Sequence, residues 1–153
     1  MINTILIMLI IGIDQYTKYL AVTYLQYNPT PVIQGVFELN YVQNRGAAFG
    51  IMQNSGWLFF ITIPIILGAL FVYILLNKNK KMYQIPLILI TSGAIGNYID
   101  RVRFGYVIDF LDFKVWPVFN IADTAIVVGA VLFALIIIIE EKRQEDQKNG
   151  SAG

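Results

Sequence analysis

The sequence predicts a mainly helical membrane protein with four transmembrane helices, a small extracytoplasmic β-sheet and both termini in the cytoplasm. Three observations predict it. The 153 residues are 57% hydrophobic and only 14% charged, with a mean hydropathy of +0.63, well above what a water-soluble core of this size requires. Four stretches are apolar and long enough to cross about 30 Å of hydrocarbon, which takes roughly 20 helical residues. The lysines gather in one short link and in the tail, which the positive-inside bias assigns to the cytoplasm.

The first expected span runs from about Thr4 to Tyr24. It could pass for a signal peptide, but it has no basic leader, carries Asp14 and Lys18, and shows no small-residue cleavage site, so it is expected to be retained. In the long connection Leu25 to Ser55, the segment Val36 to Val42 alternates Phe37, Leu39 and Tyr41 against Glu38 and Asn40, a strand pattern. The second span is Gly56 to Leu76, followed by a link containing Lys78, Lys80 and Lys81. The third is Tyr83 to Ile99 and the fourth Val118 to Ile139. Between those two, Tyr106 to Phe113 is β-branched and aromatic and is expected to complete a sheet resting on the membrane. Residues 1–141 form one expected domain, and 142–153 a polar, unordered tail whose final GSAG reads as an appended scar.

Composition removes several chemistries. With no cysteine and no histidine, thiol nucleophiles, disulfides, Ser-His triads and His-ligated metals are excluded. A net charge of +1 makes no case for nucleic acid. Neither a metal nor an organic cofactor is called for, and aspartate remains for acid-base work.

Two aspartates stand out, Asp109 in GYVIDF and Asp123 in FNIAD, because carboxylates near lipid are costly and functional by default. The third span runs outward, so Asn97, Asp100 and Arg101 fall in its last turn, with Asn97 on the face of both charges. The fourth runs inward, which puts Asn120 and Asp123 on one face roughly 5 to 10 Å below the outer boundary, at 1.5 Å per residue. A short connection between antiparallel helices can bring Asp109 opposite Asp123. Two carboxylates about 3 Å apart would hold one proton near neutral pH and titrate as a unit, one acting as base and the other as acid.

Structural roles compete at each position. Asp100 is most simply an ion pair with Arg101 or Arg103 closing a helix end. Asp14 and Lys18, four apart, pair with each other or with the outer sheet. Asp112 is expected to face solvent. Asp123 could be no more than a helix N-terminal carboxylate, with Asn120 as cap. Ser92 and Gly96 have the spacing of close helix packing.

The blocks DQYTK at Asp14 to Lys18, NYVQNRGAAFG at Asn40 to Gly50, SGAIGNYIDRVRFGYVIDFLDF at Ser92 to Phe113 and FNIADTAI at Phe119 to Ile126 resemble lipoprotein signal peptidase, the type II signal peptidase of bacteria. The likeness runs from Asp14 to the end of the fourth span, with Ser92 standing where the family commonly has glycine. It implies that Asp109 and Asp123 are the catalytic aspartates of a metal-free intramembrane aspartyl protease. It implies that Asn44, Asn97, Arg101 and Asn120 line the site and hold substrate or support the dyad, and that Val32 to Phe49 form a β-cradle. The implied partners are membrane lipid and a prolipoprotein whose lipobox cysteine carries a diacylglyceryl group, cut just before that cysteine at the outer face of the bacterial cell membrane. A monomer suffices for that chemistry. Gly46 and Ala47, small and flexible, are candidates for a flap, against a simple tight turn. The rival readings are a proton-coupled transporter or channel using the same carboxylates, and an assembly protein using Asp and Arg to join helices.

Overall fold

The computed structural model describes residues 2–46 and 81–150 and, of the segment between them, 61–62, 64–66, 68–69 and 72–73, which are helical. The rest of the second expected span lies outside the described residues.

Among the described residues, three long helices carry the fold: α1 (Ile2–Leu25), α2 (Gln84–Phe104), entered through a 3-10 turn at Lys81–Tyr83, and α3 (Ile121–Gly150). The segments Asn3–Leu25 and Ile121–Gln144 are long and apolar enough to cross a membrane. Their outer surfaces are apolar, with Ile5, Met8, Leu9 and Ile13 exposed on α1 and Val127, Val131, Leu135 and Ile138 on α3. In water such surfaces would be a liability, whereas hydrocarbon satisfies them without any partner.

Helices α2 and α3 approach closely because small residues face each other. A Cβ added at Gly93 would sit 2.2 Å from the Ala122 carbonyl oxygen, and one at Gly129 would sit 2.8 Å from both Ile90 Cγ1 and the Pro86 oxygen. Ser92 is fully buried and returns its hydroxyl to the Ile88 carbonyl at 2.6 Å. The small-residue spacing read from Ser92 and Gly96 is therefore a packing feature. At the end of this pair remote from the sheet, the Tyr83 hydroxyl donates to Glu140 at 2.8 Å, and the Tyr83 ring meets Phe133 edge-on at 5.2 Å.

Helix α2 runs past the expected Ile99 to Phe104 and stops at Gly105, which takes a left-handed conformation (φ 79°) and donates its N–H to the Arg101 carbonyl at 2.9 Å. The chain then forms β3 (Val107–Phe113) beside β2 (Phe37–Asn44) and β1 (Thr30–Ile33), an antiparallel sheet in the order β1-β2-β3. Val42 pairs with Asp109 and Asn44 with Val107, so the register fixes which β2 residues meet the end of β3 nearest the helices. Ile108 and Phe110 pack with Ala21 and Leu25 of α1 in one buried cluster, seating the sheet on the end of that helix. Asp109, one residue out of phase, points to the opposite face.

Three expectations change. Asp112 is 9% exposed rather than solvent-facing. It lies opposite Glu38 in the register, and Lys114 bridges the two carboxylates, 3.0 Å from that of Asp112. The fourth expected span begins at Ile121 instead of Val118, because Phe119 forms an isolated bridge with Leu111 and stays extended. Its helix then continues to Gly150, where an unordered tail was expected from Lys142. Glu, Lys, Arg and Gln are good helix formers, so a helix already launched propagates through them.

Candidate active site

Asp109 and Asp123 come together on either side of Asn120. Helix α3 starts with Asn120 as its cap. The Asn120 side-chain oxygen accepts the Asp123 N–H at 2.9 Å, and Asp123 Oδ2 accepts the Asn120 N–H at 3.3 Å. This is a reciprocal capping box, and it holds the Asp123 carboxylate at the helix N-terminus. The local role and the wider one coincide here, for the same cap turns the Asn120 amide toward Asp109, whose Oδ1 accepts from Nδ2 at 2.6 Å.

Two further asparagines complete the frame. Asn44, the last residue of β2, donates to Asp109 Oδ2 at 2.8 Å, and Asn97 of α2 donates to Asp123 Oδ1 at 2.7 Å. The direction of each amide is set by a group that can only donate. The Gly46 N–H occupies Asn44 Oδ1 at 3.1 Å, the Asp123 N–H occupies Asn120 Oδ1, and the Lys18 ammonium occupies Asn97 Oδ1 at 3.0 Å. Each NH₂ group must therefore face a carboxylate. Asn120 and Asp109 are buried to 1% exposure or less. Burial is the largest influence on Asp109 and the charge of Asp123 the next, and together they push its carboxyl up to about 7. The Asn44 and Asn120 donors and the Lys18 charge pull the other way.

Behind this frame lies a buried ionic cluster that the sequence only half disclosed. Lys18 meets Asp14 at 2.9 Å, as its i,i+4 spacing suggested, and also Asp100 at 2.9 Å. Asp100 is thus the partner of Lys18 rather than of Arg101 or Arg103. Arg101, the next helix position, projects in another direction, and Arg103 is exposed, while Asp100 points inward, fully buried. It also accepts the Ile108 N–H at 3.1 Å and the Gln15 side chain at 2.9 Å. Asp14 accepts the Ala122 N–H at 2.9 Å, so a residue of α1 fastens the first turn of α3. The Gln15 contribution went unread, since only its place inside the DQYTK block marked it.

Arg101 is partly exposed at the margin. Its guanidinium donates to the Asn97 carbonyl at 3.3 Å, and the carboxylates acting on it are, in order, those of Asp123, Asp109 and Asp100. Of the candidate flap, Gly46 closes a turn on Asn44, while Ala47 lies outside the described residues.

A buried and a half-buried carboxylate framed by oriented amides, on a helical scaffold capped by a small sheet, have the makings of an aspartic endopeptidase in a membrane. Known proteins agree. Residues 6–139 match the family profile described as Signal peptidase (SPase) II. The lipoprotein signal peptidase of Caldanaerobacter subterraneus subsp. tengcongensis is 47% identical over 139 residues, covering 89% of this chain and 95% of that one. That of Halothermothrix orenii is 42% identical, covering 90% and 96%. A bacterial membrane enzyme solved by the in meso method at 2.3 Å resolution superposes with a TM-score of 0.83 at 32% identity, covering 92% of this chain and 90% of that one. The chain belongs to the lipoprotein signal peptidase family, signal peptidase II. Its activity is that of an aspartic endopeptidase that cleaves signal peptides from prolipoproteins.

Proposed function

We propose that Asp109 and Asp123 are the catalytic pair, and that they hydrolyse the peptide bond just before a diacylglyceryl-modified cysteine. The observation that carries this reading is their shared frame. Three asparagines aim amide protons at the two carboxylates, with Asn120 serving both.

With its carboxyl pushed up to about 7, Asp109 carries the shared proton and Asp123 acts as the base. Asp123 takes a proton from water, and the resulting hydroxide attacks the scissile carbonyl carbon. Asp109 donates its proton to the carbonyl oxygen as the tetrahedral diol forms. The diol collapses when the leaving amine is protonated, and the pair returns to its single-proton state. No acyl-enzyme forms. General acid-base work of this kind supplies about 10² to 10⁴ in rate, and positioning and charge stabilisation supply the rest. Asn44, Asn97 and Asn120 hold the carboxylates, and Arg101 at the margin grips substrate carbonyls or the developing charge.

A chain with four spans, both termini cytoplasmic and the sheet on the extracytoplasmic face suits such a substrate. A signal peptide enters as a transmembrane helix, its acyl chains stay in the bilayer, and the scissile bond lies at the outer boundary beside the sheet. One chain supplies every group named, so a monomer is sufficient.

The test is cleavage of a diacylglyceryl-modified precursor in liposomes by the parent, Asp109→Asn and Asp123→Asn, each with its thermal unfolding measured. Folded variants that lose cleavage by about 10²-fold or more support the pair. A folded variant that still cleaves at the parental rate refutes it.

A further inference from the structure

We infer that Lys18, a residue of α1 that touches neither aspartate in this structure, is a positioning residue for the peptidase: it locks the Asn97 amide so that its NH₂ group faces Asp123. The inference rests on the reading of Asp109 and Asp123 as the catalytic pair.

The argument is one of donors and acceptors. An asparagine amide can turn over, exchanging its oxygen and its NH₂ group, at no cost unless its neighbours discriminate. Asn97 Oδ1 has two donors, Lys18 Nζ at 3.0 Å and Asn120 Nδ2 at 3.1 Å. Asn120 is itself an amide with three acceptors near its Nδ2, namely Asn97 Oδ1, the Ile108 carbonyl at 3.3 Å and Asp109 Oδ1 at 2.6 Å. With two protons for three acceptors, it is a divided donor. Lys18 is the donor that cannot reverse, having three protons and no lone pair. Its three protons go to Asp14, Asp100 and Asn97, each 2.9 to 3.0 Å away, and it is 1% exposed, so no water replaces it.

Without that ammonium, Asn97 Oδ1 keeps only the divided Asn120 donor, and the amide loses its firmest tether. The Asp123 carboxylate, 2.7 Å from the Asn97 NH₂ group, is then held by an amide that can swing. The base loses its fixed position. Lys18 therefore governs the geometry of a carboxylate two residues removed, through one amide.

The charged groups around the pair are Asp123 from α3, Arg101 and Asp100 from α2, and Lys18 and Asp14 from α1, while β2 contributes the neutral Asn44. Lys18 is one of the groups holding the Asp109 carboxyl down. Its loss moves the alkaline limb of the rate profile to higher pH through charge alone; what a purely structural lysine would not produce is a loss of kcat that vanishes when Asn97 is already gone.

The experiment compares three proteins in liposomes: the parent, Lys18→Met, and Lys18→Met combined with Asp14→Asn and Asp100→Asn. The last removes the buried charges left unpaired when lysine goes. Unfolding midpoints, kcat, KM and pH–rate profiles are measured for each. The expected result is a fall in kcat of about 10²-fold, the scale of a 1 Å misplacement. KM changes little, and the alkaline limb of Lys18→Met moves upward. Adding Asn97→Ala to Lys18→Met costs little more, because both act through one amide. Parental kcat in the folded triple variant, or additive losses with Asn97→Ala, overturns the inference. Failure of both Lys18 variants to fold where the parent is active assigns the lysine to the fold and also overturns it. Failure of the catalytic reading itself is distinguishable, since folded Asp109→Asn and Asp123→Asn would then still cleave.

Discussion

Gly96 is the point at which helix packing and the buried ionic cluster meet, and Gly96→Ala tests both. A Cβ there would lie 2.6 Å from Asp14 Oδ2 and 3.3 Å from Ala122 Cβ. Side-chain carbons essentially never come within 3.0 Å of such a neighbour, so the Asp14 carboxylate must retreat by at least about 0.4 Å, the difference between those two distances. It is not free to do so, being held by Lys18 at 2.9 Å, the Ala122 N–H at 2.9 Å and Gln15 at 3.2 Å. Overpacking of a close-fitted site costs about 1 to 3 kcal/mol, and weakening one charge-assisted bond adds about 1.5 kcal/mol. Because these share atoms they do not simply add, and we expect a loss of about 2 to 4 kcal/mol. The Ala122 anchor lies one residue before Asp123, so the carboxylate moves with it, and kcat should fall about tenfold or more. Thermal unfolding in detergent and cleavage in liposomes read the two effects. A second variant sharpens the test: in Asp14→Ala the obstacle is gone and Lys18 keeps Asp100, so adding Gly96→Ala to it should cost little more. Parental stability and rate in Gly96→Ala, or full additivity in the double variant, would refute the reasoning.

Other outcomes follow from the same geometry. With Asp109 titrating near 7 and acting as the acid, kcat/KM should fall as pH rises through that value. Asn44→Ala removes a donor that favours the charged form, so the limb should move to higher pH while the maximum rate drops about tenfold, the effect of roughly 1.4 kcal/mol from one charge-assisted bond. The raised Asp109 also makes stability depend on pH: its contribution is whole below the ordinary carboxylate range and is lost as pH rises through about 7. The unfolding midpoint of the parent should therefore decline between about pH 4 and 7 more steeply than that of Asp109→Asn. Gly129→Val brings bulk against Ile90 and the Pro86 carbonyl and should lower stability by about 1 to 3 kcal/mol, seen as a lower unfolding midpoint, leaving the pH limb where it was.

Particular residues show how much of this was legible. Asp109, Asp123 and Asn120 could be read because charge and amide are rare near lipid, and because spacings of three and four decide which helix residues share a face. Strand β2 announced itself by alternation and β3 by its β-branched and aromatic residues. Strand β1 did not: it is four residues long, exposed throughout and contains Pro31, which an edge strand tolerates. The partner of Asp100 was misjudged because near neighbours in sequence, Arg101 and Arg103, outweighed Lys18, whose 82-residue separation no local pattern can bridge. For the same reason the anchoring of α3 by Asp14 was invisible, although both ends of that bond lie within the recognisable blocks.

The i,i+4 pairing of Asp14 with Lys18 also bears on how the molecule is made. Helix α1 carries a cation and its own counter-ion, so it can enter the bilayer without a second helix to neutralise it. Asp100 reaches Lys18 only with α2, and Asn120 and Asp123 arrive only with α3. A nascent chain that has just produced Asp109 can offer it Asn44 but not yet Asn120 or Asp123. On the proposed pairing, the peptidase is silent until α3 docks, and it gains activity in the one event that brings Asn120 and Asp123 to the lysine-anchored frame of α1 and α2.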